Sequence, residues 1–350
     1  MTSAASLLHR IVRRAIVALS VLCVPYLPAQ MPANTFTNPL LPSGADPWVV
    51  TWKGHYYYMA TSGKNLTLYK TADITALRDA EKKIVWTPEP GHEWSHGIWA
   101  PELHRWGSTW YIYFAADAGE NNTHRIFVVE NSADDPMDGT WEFKGKVAAS
   151  TDTWAIDADL FEVDGTHYLL WSGWQGDTNG EQDIFLARMK NPWTLDSPRA
   201  LISQPTFPWE KIGDLPHGHV NVNEGPEAII HGGKIFVVYS ASGCWTDSYS
   251  LGVIEASIHA NLLDPSAWKK YDHPFFQTDA KNSVYSPGHN GFFKSPDGKQ
   301  DWIVYHANDA PGQGCGGHRS PRIQPFTWNA DGTPNFGTPT ATGQELKKPH

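Results

Sequence analysis

Three carboxylates stand in settings that resemble one another: Asp46 in Gly44-Ala-Asp-Pro-Trp48, Asp157 in Ala155-Ile-Asp-Ala-Asp159, and Glu224 in Val222-Asn-Glu-Gly-Pro226. Any one of them alone would serve as a turn residue that accepts backbone N–H bonds. Brought to one place, they would raise one another's pKa values, and the shared site would need a proton or a cation to be tolerable. Two kinds of chemistry use such a cluster. Either a cation sits between the carboxylates, or they divide acid and base work. The second is the logic of glycoside hydrolysis, where one carboxyl protonates the departing oxygen and another activates water.

A repeat supplies the means of bringing them together. Five times a short polar or acidic element leads through a Gly- or Asp-containing turn into an aromatic, β-branched run. These pairs are Asp46-Pro-Trp48 with Trp52 to Tyr58, Ala100-Pro-Glu102 with Trp106 to Tyr113, Asp157-Ala-Asp159 with Asp164 to Trp171, Glu224-Gly-Pro-Glu227 with Gly232 to Tyr239, and His289-Asn-Gly291 with Asp297 to Tyr305. Each reads as a hairpin, and a further strand such as His124 to Val129 or Tyr249 to Ile254 follows. The unit starts, Asp46, Pro101, Asp157, Glu224 and His289, lie 55, 56, 67 and 65 residues apart. That is the spacing of propeller blades with long loops. The expectation is an all-β fold, one five-bladed β-propeller over residues 35–345, with the catalytic site at the mouth of the central channel where equivalent residues of successive blades converge. A β-sandwich competes, but leaves the recurrent polar hairpin heads unexplained. Helical periodicity is weak; Ile74 to Lys82 is expected to give at most a short helical turn, and His92, His96 and His217 read as loop residues.

The 350-residue chain is 41% hydrophobic and 18% charged, with 30 Gly and 26 Pro, which excludes a disordered chain and a coiled coil. Residues 1–29 carry Arg10, Arg13 and Arg14, no acidic residue, and an apolar run from Ala15 to Val24. They read as a secretory signal peptide cut after Ala29, placing the mature chain outside the cytoplasm, secreted or periplasmic. A membrane anchor is the competing reading, but the run is shorter than the ~20 residues a spanning helix needs. Lipidation at Cys23 is disfavoured because Leu22 precedes it. Loss of the three arginines moves the net charge from -10 to -13. Such a charge repels nucleic acid and anionic membranes and points to neutral or cationic ligands. Cys244 and Cys315 remain, an even number that permits one disulfide; two free thiols are the alternative. No phosphate-binding or dinucleotide-binding glycine loop is present, so no organic cofactor is called for.

Taken in order, Asp46 within Ala-Asp-Pro, Trp99-Ala-Pro-Glu-Leu-His104, Ala155-Ile-Asp157, Asn223-Glu-Gly-Pro226, Pro287-Gly-His-Asn290 and the run from Arg319 to Pro334 resemble the family 43 glycoside hydrolases. The likeness extends over nearly all of the chain after the signal. It implies a five-bladed propeller acting with inversion on α-L-arabinofuranosides or β-D-xylosides. By motif, Asp46 resembles the general base, Glu224 the general acid, and Asp157 the carboxylate that holds and tunes the acid. Asp159 competes with Asp157 for that last role. Arg319 stands where the family places a substrate-binding arginine, with Arg322 nearby as a competitor. His289 resembles a channel histidine that lies beside one structural Ca2+ or Na+ ion, often through water.

Trp99, Trp171, Trp174 and Trp245 lie at or just beyond hairpin segments near the expected mouth, where flat rings stack on sugars; packing inside a blade competes for each. Trp99, Trp171 and Trp245 are taken as substrate-binding, Trp99 foremost. A bridge between Cys244 and Cys315 would brace one rim of the pocket. The long insert from Met189 to Val222 would close the channel into a pocket, favouring exo action. The resemblance is nearest to exo-acting α-L-arabinofuranosidases, with plant cell-wall arabinan or arabinoxylan oligosaccharides as substrates and a β-D-xylosidase as the alternative. A non-catalytic sugar-binding propeller is a further alternative, one that would not need a carboxylate in blades one, three and four alone.

Overall fold

The structure is a computed structural model that describes residues 34–350; the expected signal peptide lies outside the described residues. Five antiparallel four-stranded units follow one another along the chain. Their innermost strands are Trp48–Trp52, His96–Trp106, Ala155–Val163, Asn221–His231 and Tyr285–Lys294. Each of these strands packs against the next, and the fifth packs against the first, so the ring closes. The third strand of blade three, Glu181–Asn191, also pairs in parallel with the innermost strand of blade four, through Glu181 opposite Asn221 and Gln182 opposite Val222.

The aromatic, β-branched runs form strands because each blade is covered on both faces by its neighbours, which strand-forming side chains fill well. Five apolar clusters occupy the five blade interfaces. Tyr57, Leu66 and Leu68 of blade one meet Leu103, Trp110 and Ile112 of blade two. The ring is completed where Tyr56 and Tyr58 of blade one meet Phe293, Trp302 and Ile323 of blade five. Two-residue turns join the first two strands of several blades. Lys53-Gly54, Asp164-Gly165 and Gly232-Gly233 all have positive φ at both central positions, the mirror-image turn whose twist suits a hairpin.

The segment leading into blade one stitches the ring shut against blade five. Leu40 and Gly44 donate backbone bonds to Pro321 and Arg319. The Asn38 side chain both donates to the carbonyl of Ile323 and accepts from its N–H. Thr35–Thr37 pairs with Glu345–Lys347 near the other end of the chain. The short helical turn is present as a 3-10 segment, Ile74–Asp79, capped by Asp73. His96 differs from its expectation as a loop residue, because it opens the long inner strand of blade two.

Candidate active site

Just before or within the first half of each innermost strand lies a residue in the left-handed region: Asp46 (φ 56°), Ala100 (41°), Asp157 (55°), Gly225 (52°) and His289 (48°). In blades two to five it sits where the pairing with the second strand slips by a bulge. A non-glycine residue is strained at positive φ and needs support from its surroundings. The N–H of the residue supplies it in four blades, by donating to a side chain of the preceding blade. Ala100 donates to Thr61 Oγ1 at 2.8 Å, Gly225 to Asp157 Oδ2 at 3.0 Å, His289 to Ser240 Oγ at 2.7 Å, and Asp46 to His306 Nδ1 at 3.1 Å.

This frame corrects the register of the repeat. Asp46, Asp157 and His289 do share one address, but in blade two that address belongs to Ala100 rather than Pro101, and in blade four to Gly225 rather than Glu224. Glu224 stands one residue earlier, at the address occupied by Trp99 in blade two and Ile156 in blade three. Both addresses open onto a cavity of about 480 Å³ lined by Asp46, Asp157, Glu224, Trp99, Trp245, His289 and Arg319. That volume suits a small ligand, for which pockets run roughly 300–1,000 Å³. Gly225 is required twice over, by its φ of 52° and because a Cβ there would lie 3.2 Å from the His289 ring.

Asp46 is 8% exposed. Its Oδ1 accepts from Arg319 Nη1 at 3.1 Å, its Oδ2 accepts from Thr61 Oγ1, and His289 Nδ1 lies 3.4 Å from Oδ1. Burial alone would push its pKa up, but His289, Arg319, His306 and the Thr61 hydroxyl outweigh burial and hold the carboxyl well below the usual range. Burial keeps both imidazoles on the neutral side. Arg319 is therefore the cation that acts on Asp46 at every working pH.

Glu224 is pushed the other way. Burial and the charge of Asp46 raise its pKa to about 7, against the Tyr249 hydroxyl, which donates to Oε1 at 2.8 Å, and the more distant Arg319. Asp157 is likewise raised, by burial and by Glu224 and Asp46. Asp157 and Glu224 titrate as a pair, so near neutral pH a proton resides on it. One pocket thus holds an ionised carboxylate and a protonated carboxyl, the separation that acid–base catalysis needs.

The remaining expectations divide. Trp99 is half-buried on the cavity wall and stacked on His124 at 3.9 Å. Trp245 lines the rim, its indole N–H bonded to the Asp214 carbonyl. Trp171 is a correction: it is 3% exposed, packs on Phe185 between blades two and three, and is not on the cavity wall. It lies on the second strand of its blade, whose side chains fill the blade interface. Trp174 is also buried, behind Trp154, which does line the cavity. Arg322 is fully buried and paired with Asp309 and Thr342, leaving Arg319 as the arginine at Asp46. Cys244 and Cys315 are bonded to each other and line the rim. Sequence reasoning passed over Thr61, Trp154, Tyr249 and His306. Trp154, three residues before Asp157, was within reach of the motif; the others come from strands or loops that carry no motif.

Two residues further along three of the same inner strands lies a second set of acids, Glu102, Asp159 and Glu227, all at most 3% exposed. Glu102 Oε2 is 2.9 Å from His104 Nε2 and is hydrogen-bonded to Glu227; Asp159 Oδ2 accepts the Ala228 N–H. Burial raises Glu102 and Glu227 well above the usual range and Asp159 to about 7, and lowers His104 to about 3. Buried carboxyls need a compensating positive charge, and here protons or a metal ion can supply it. Glu102, His104 and Asp159 could hold such an ion, their donor atoms lying within 4.8 Å of one another. The surroundings of His289 fit an ion less well, since its nearest anion, Asp46, is already paired with Arg319 and Thr61.

Fold and site together define a class: a five-bladed β-propeller with a carboxylate-lined pocket at its channel mouth. Residues 36–334 match the model of glycosyl hydrolases family 43, and the chain belongs to that family. It is 39% identical over 321 residues to an extracellular exo-α-(1→5)-L-arabinofuranosidase of Streptomyces avermitilis, covering 89% of this chain and 65% of that protein, less than two thirds of its length. A Streptomyces chartreusis protein of the same name is 39% identical over 277 residues, covering 78% of this chain and 82% of its own. The crystal structure of an α-L-arabinofuranosidase from Lactobacillus brevis superposes with a TM-score of 0.82 at 33% identity, over 88% of this chain and 98% of that one.

Proposed function

We propose that the chain is an inverting, exo-acting glycoside hydrolase that releases terminal α-L-arabinofuranose from arabinan or arabino-oligosaccharides. The observation that carries the reading is the opposed setting of two carboxyls in one pocket, Asp46 held toward the ionised form beside Arg319 and Glu224 pushed toward the protonated form by burial and the charge of Asp46. Asp46 takes a proton from water as the water oxygen bonds to the anomeric carbon. Glu224 gives its proton to the glycosidic oxygen as the bond from that carbon to the leaving sugar breaks. Attack and departure occur on opposite faces, so the anomeric centre inverts. Arg319 keeps the base ionised, and Asp157, through the Gly225 N–H, holds the backbone beside Glu224.

Exo action is supported by the insert between blades three and four. Its small hairpin, Asp214–Leu215 with Gly218–His219, brings Leu215 to the cavity wall, with Val220 just beyond it, and is tied to Trp245 through Asp214. The names of the relatives support the arabinofuranoside, its α-1,5 linkage and an extracellular location. A hard cation such as Ca2+ would be held by Glu102 and Asp159 beside His104. It would supply charge compensation in the channel, with both proton transfers left to Asp46 and Glu224.

The test is leaving-group dependence. Glu224→Gln should slow hydrolysis of arabino-oligosaccharides by about 10²–10⁴-fold, and slow an aryl arabinofuranoside with a good leaving group far less. The first product, followed by NMR, should be the inverted anomer. Equal loss on both substrates, or a retained first product, would overturn the assignment.

A further inference from the structure

Tyr249 stands beside the proposed acid and is fully buried just before the strand Ser250–Ser257. Its hydroxyl donates to Glu224 Oε1 at 2.8 Å and is itself bonded to the Ser240 hydroxyl. Ser240 Oγ accepts the backbone N–H of His289 at 2.7 Å. A hydroxyl has one proton to give. With Ser240 accepting from a backbone N–H, its own proton is free for the Tyr249 oxygen, and Tyr249's proton then goes to Glu224. The run has one direction: His289 N–H to Ser240, Ser240 to Tyr249, Tyr249 to Oε1.

The surrounding packing is shaped for this run. The Tyr249 ring lies parallel to that of His306, with centroids 5.8 Å apart and planes within 3°. Gly288 leaves room for it, since a Cβ there would sit 2.3 Å from the ring and 3.1 Å from Ser240 Oγ. His306 in turn accepts the N–H of Asp46. The same aromatic pair therefore touches the side chain of the acid and the backbone of the base.

We infer that Ser240 and Tyr249 are positioning residues that hold Oε1 of Glu224 as an acceptor and so place the acidic proton on Oε2, the oxygen left to face the leaving group. The inference rests on the proposed acid role of Glu224. No bond is made or broken in the relay; it selects which oxygen carries the proton that Glu224 transfers. The other groups that bear on Glu224 are Asp157 from blade three, Asp46 from blade one and Arg319 from blade five, with His289 and His306 kept neutral by burial. Among the described residues it is Tyr249 that bonds an oxygen of Glu224 directly.

Tyr249→Phe keeps the ring on His306 and removes the donor. On arabino-oligosaccharides kcat should fall about tenfold, the weight of one hydrogen bond to an ionisable group, with KM little changed. An activated aryl arabinofuranoside should be largely spared. Losing a donor to the carboxylate raises the pKa of Glu224, and activity requires Glu224 protonated. The alkaline limb of kcat/KM should therefore move to higher pH by about one unit. Ser240→Ala should shift the same limb in the same direction by less. A purely structural role would slow both substrates alike and leave the limb in place, and that result in a folded Tyr249→Phe protein overturns the inference. Glu224→Gln, run beside it, separates the two failures. If Glu224→Gln discriminates between the substrates and Tyr249→Phe does not, the relay falls and the acid stands. If Glu224→Gln does not discriminate, both fall.

Discussion

The inner strands carry two layers of acids, and the layers differ in what balances them. At the mouth, Asp46, Asp157 and Glu224 share a cavity with Arg319; two residues deeper, Glu102, Asp159 and Glu227 are sealed, the first two beside His104, which burial keeps neutral. Both layers bury like charges. In the mouth, a permanent cation and the Thr61 hydroxyl keep one carboxyl ionised while burial and like charge push its two neighbours toward the protonated form. In the deep layer, among the described residues, no arginine or lysine is a partner of the three acids, and all three are pushed toward the protonated form. Clustered acids therefore do not by themselves make an acid–base pair. A fixed cation beside one of them does, by splitting their pKa values.

The sharpest way to break that contrast is to remove one acid from each layer. Asp46→Asn should lower kcat/KM on the order of 10²–10⁴-fold, on natural and aryl substrates alike, because both need activated water. Glu102→Gln, deeper in the same channel, should leave the rate within a few fold. Comparable losses in initial-rate assays of the two variants would erase the distinction.

The cation comes next. Arg319→Met removes the charge that holds Asp46 down, and the proposed base must be deprotonated to work, so activity is lost as pH falls through its pKa. That pKa should rise, moving the acidic limb of kcat/KM upward by about 1–3 pH units. An unmoved acidic limb would mean that Thr61 and the imidazoles suffice without it.

Chelation addresses the deep layer. EDTA should lower the melting temperature, and added Ca2+ restore it, while the rate at moderate temperature changes little. An unchanged melting temperature would assign charge compensation there to protons alone. Smallest is the effect of the aromatic wall. Trp99→Ala should raise KM several-fold with a lesser change in kcat, and leave the melting temperature nearly as it was. A large loss of stability instead would place Trp99 with Trp171, among the packing residues.

Asp46 and Asp157 were legible because the left-handed address that projects them recurs with Ala-Asp-Pro and Ile-Asp signatures. Glu224 was legible as a residue but not as an address, since Gly225 takes the strained position and Glu224 stands one step before it. Trp171 misled because a tryptophan ending a hairpin run looks alike whether its face meets a neighbouring blade or the cavity. Thr61, Tyr249 and His306 gave no local signal; each is a common residue of a second or third strand, or of the loop beside it.

Spacing, side-chain shape and backbone preference within a few residues suffice for the strand pattern, the fivefold repeat, the turn chemistry and the identity of the three mouth carboxylates, and all of these are written locally in the chain. The tertiary structure decided which carboxyl is charged. Arg319 reaches Asp46 across 273 residues, the latches that support the left-handed positions come from neighbouring blades, and Tyr249 meets Glu224 once the strands of blade four are paired. A carboxyl's protonation depends on burial and on the charges and donors around it, and in a ring closed end to end those neighbours are distant in sequence.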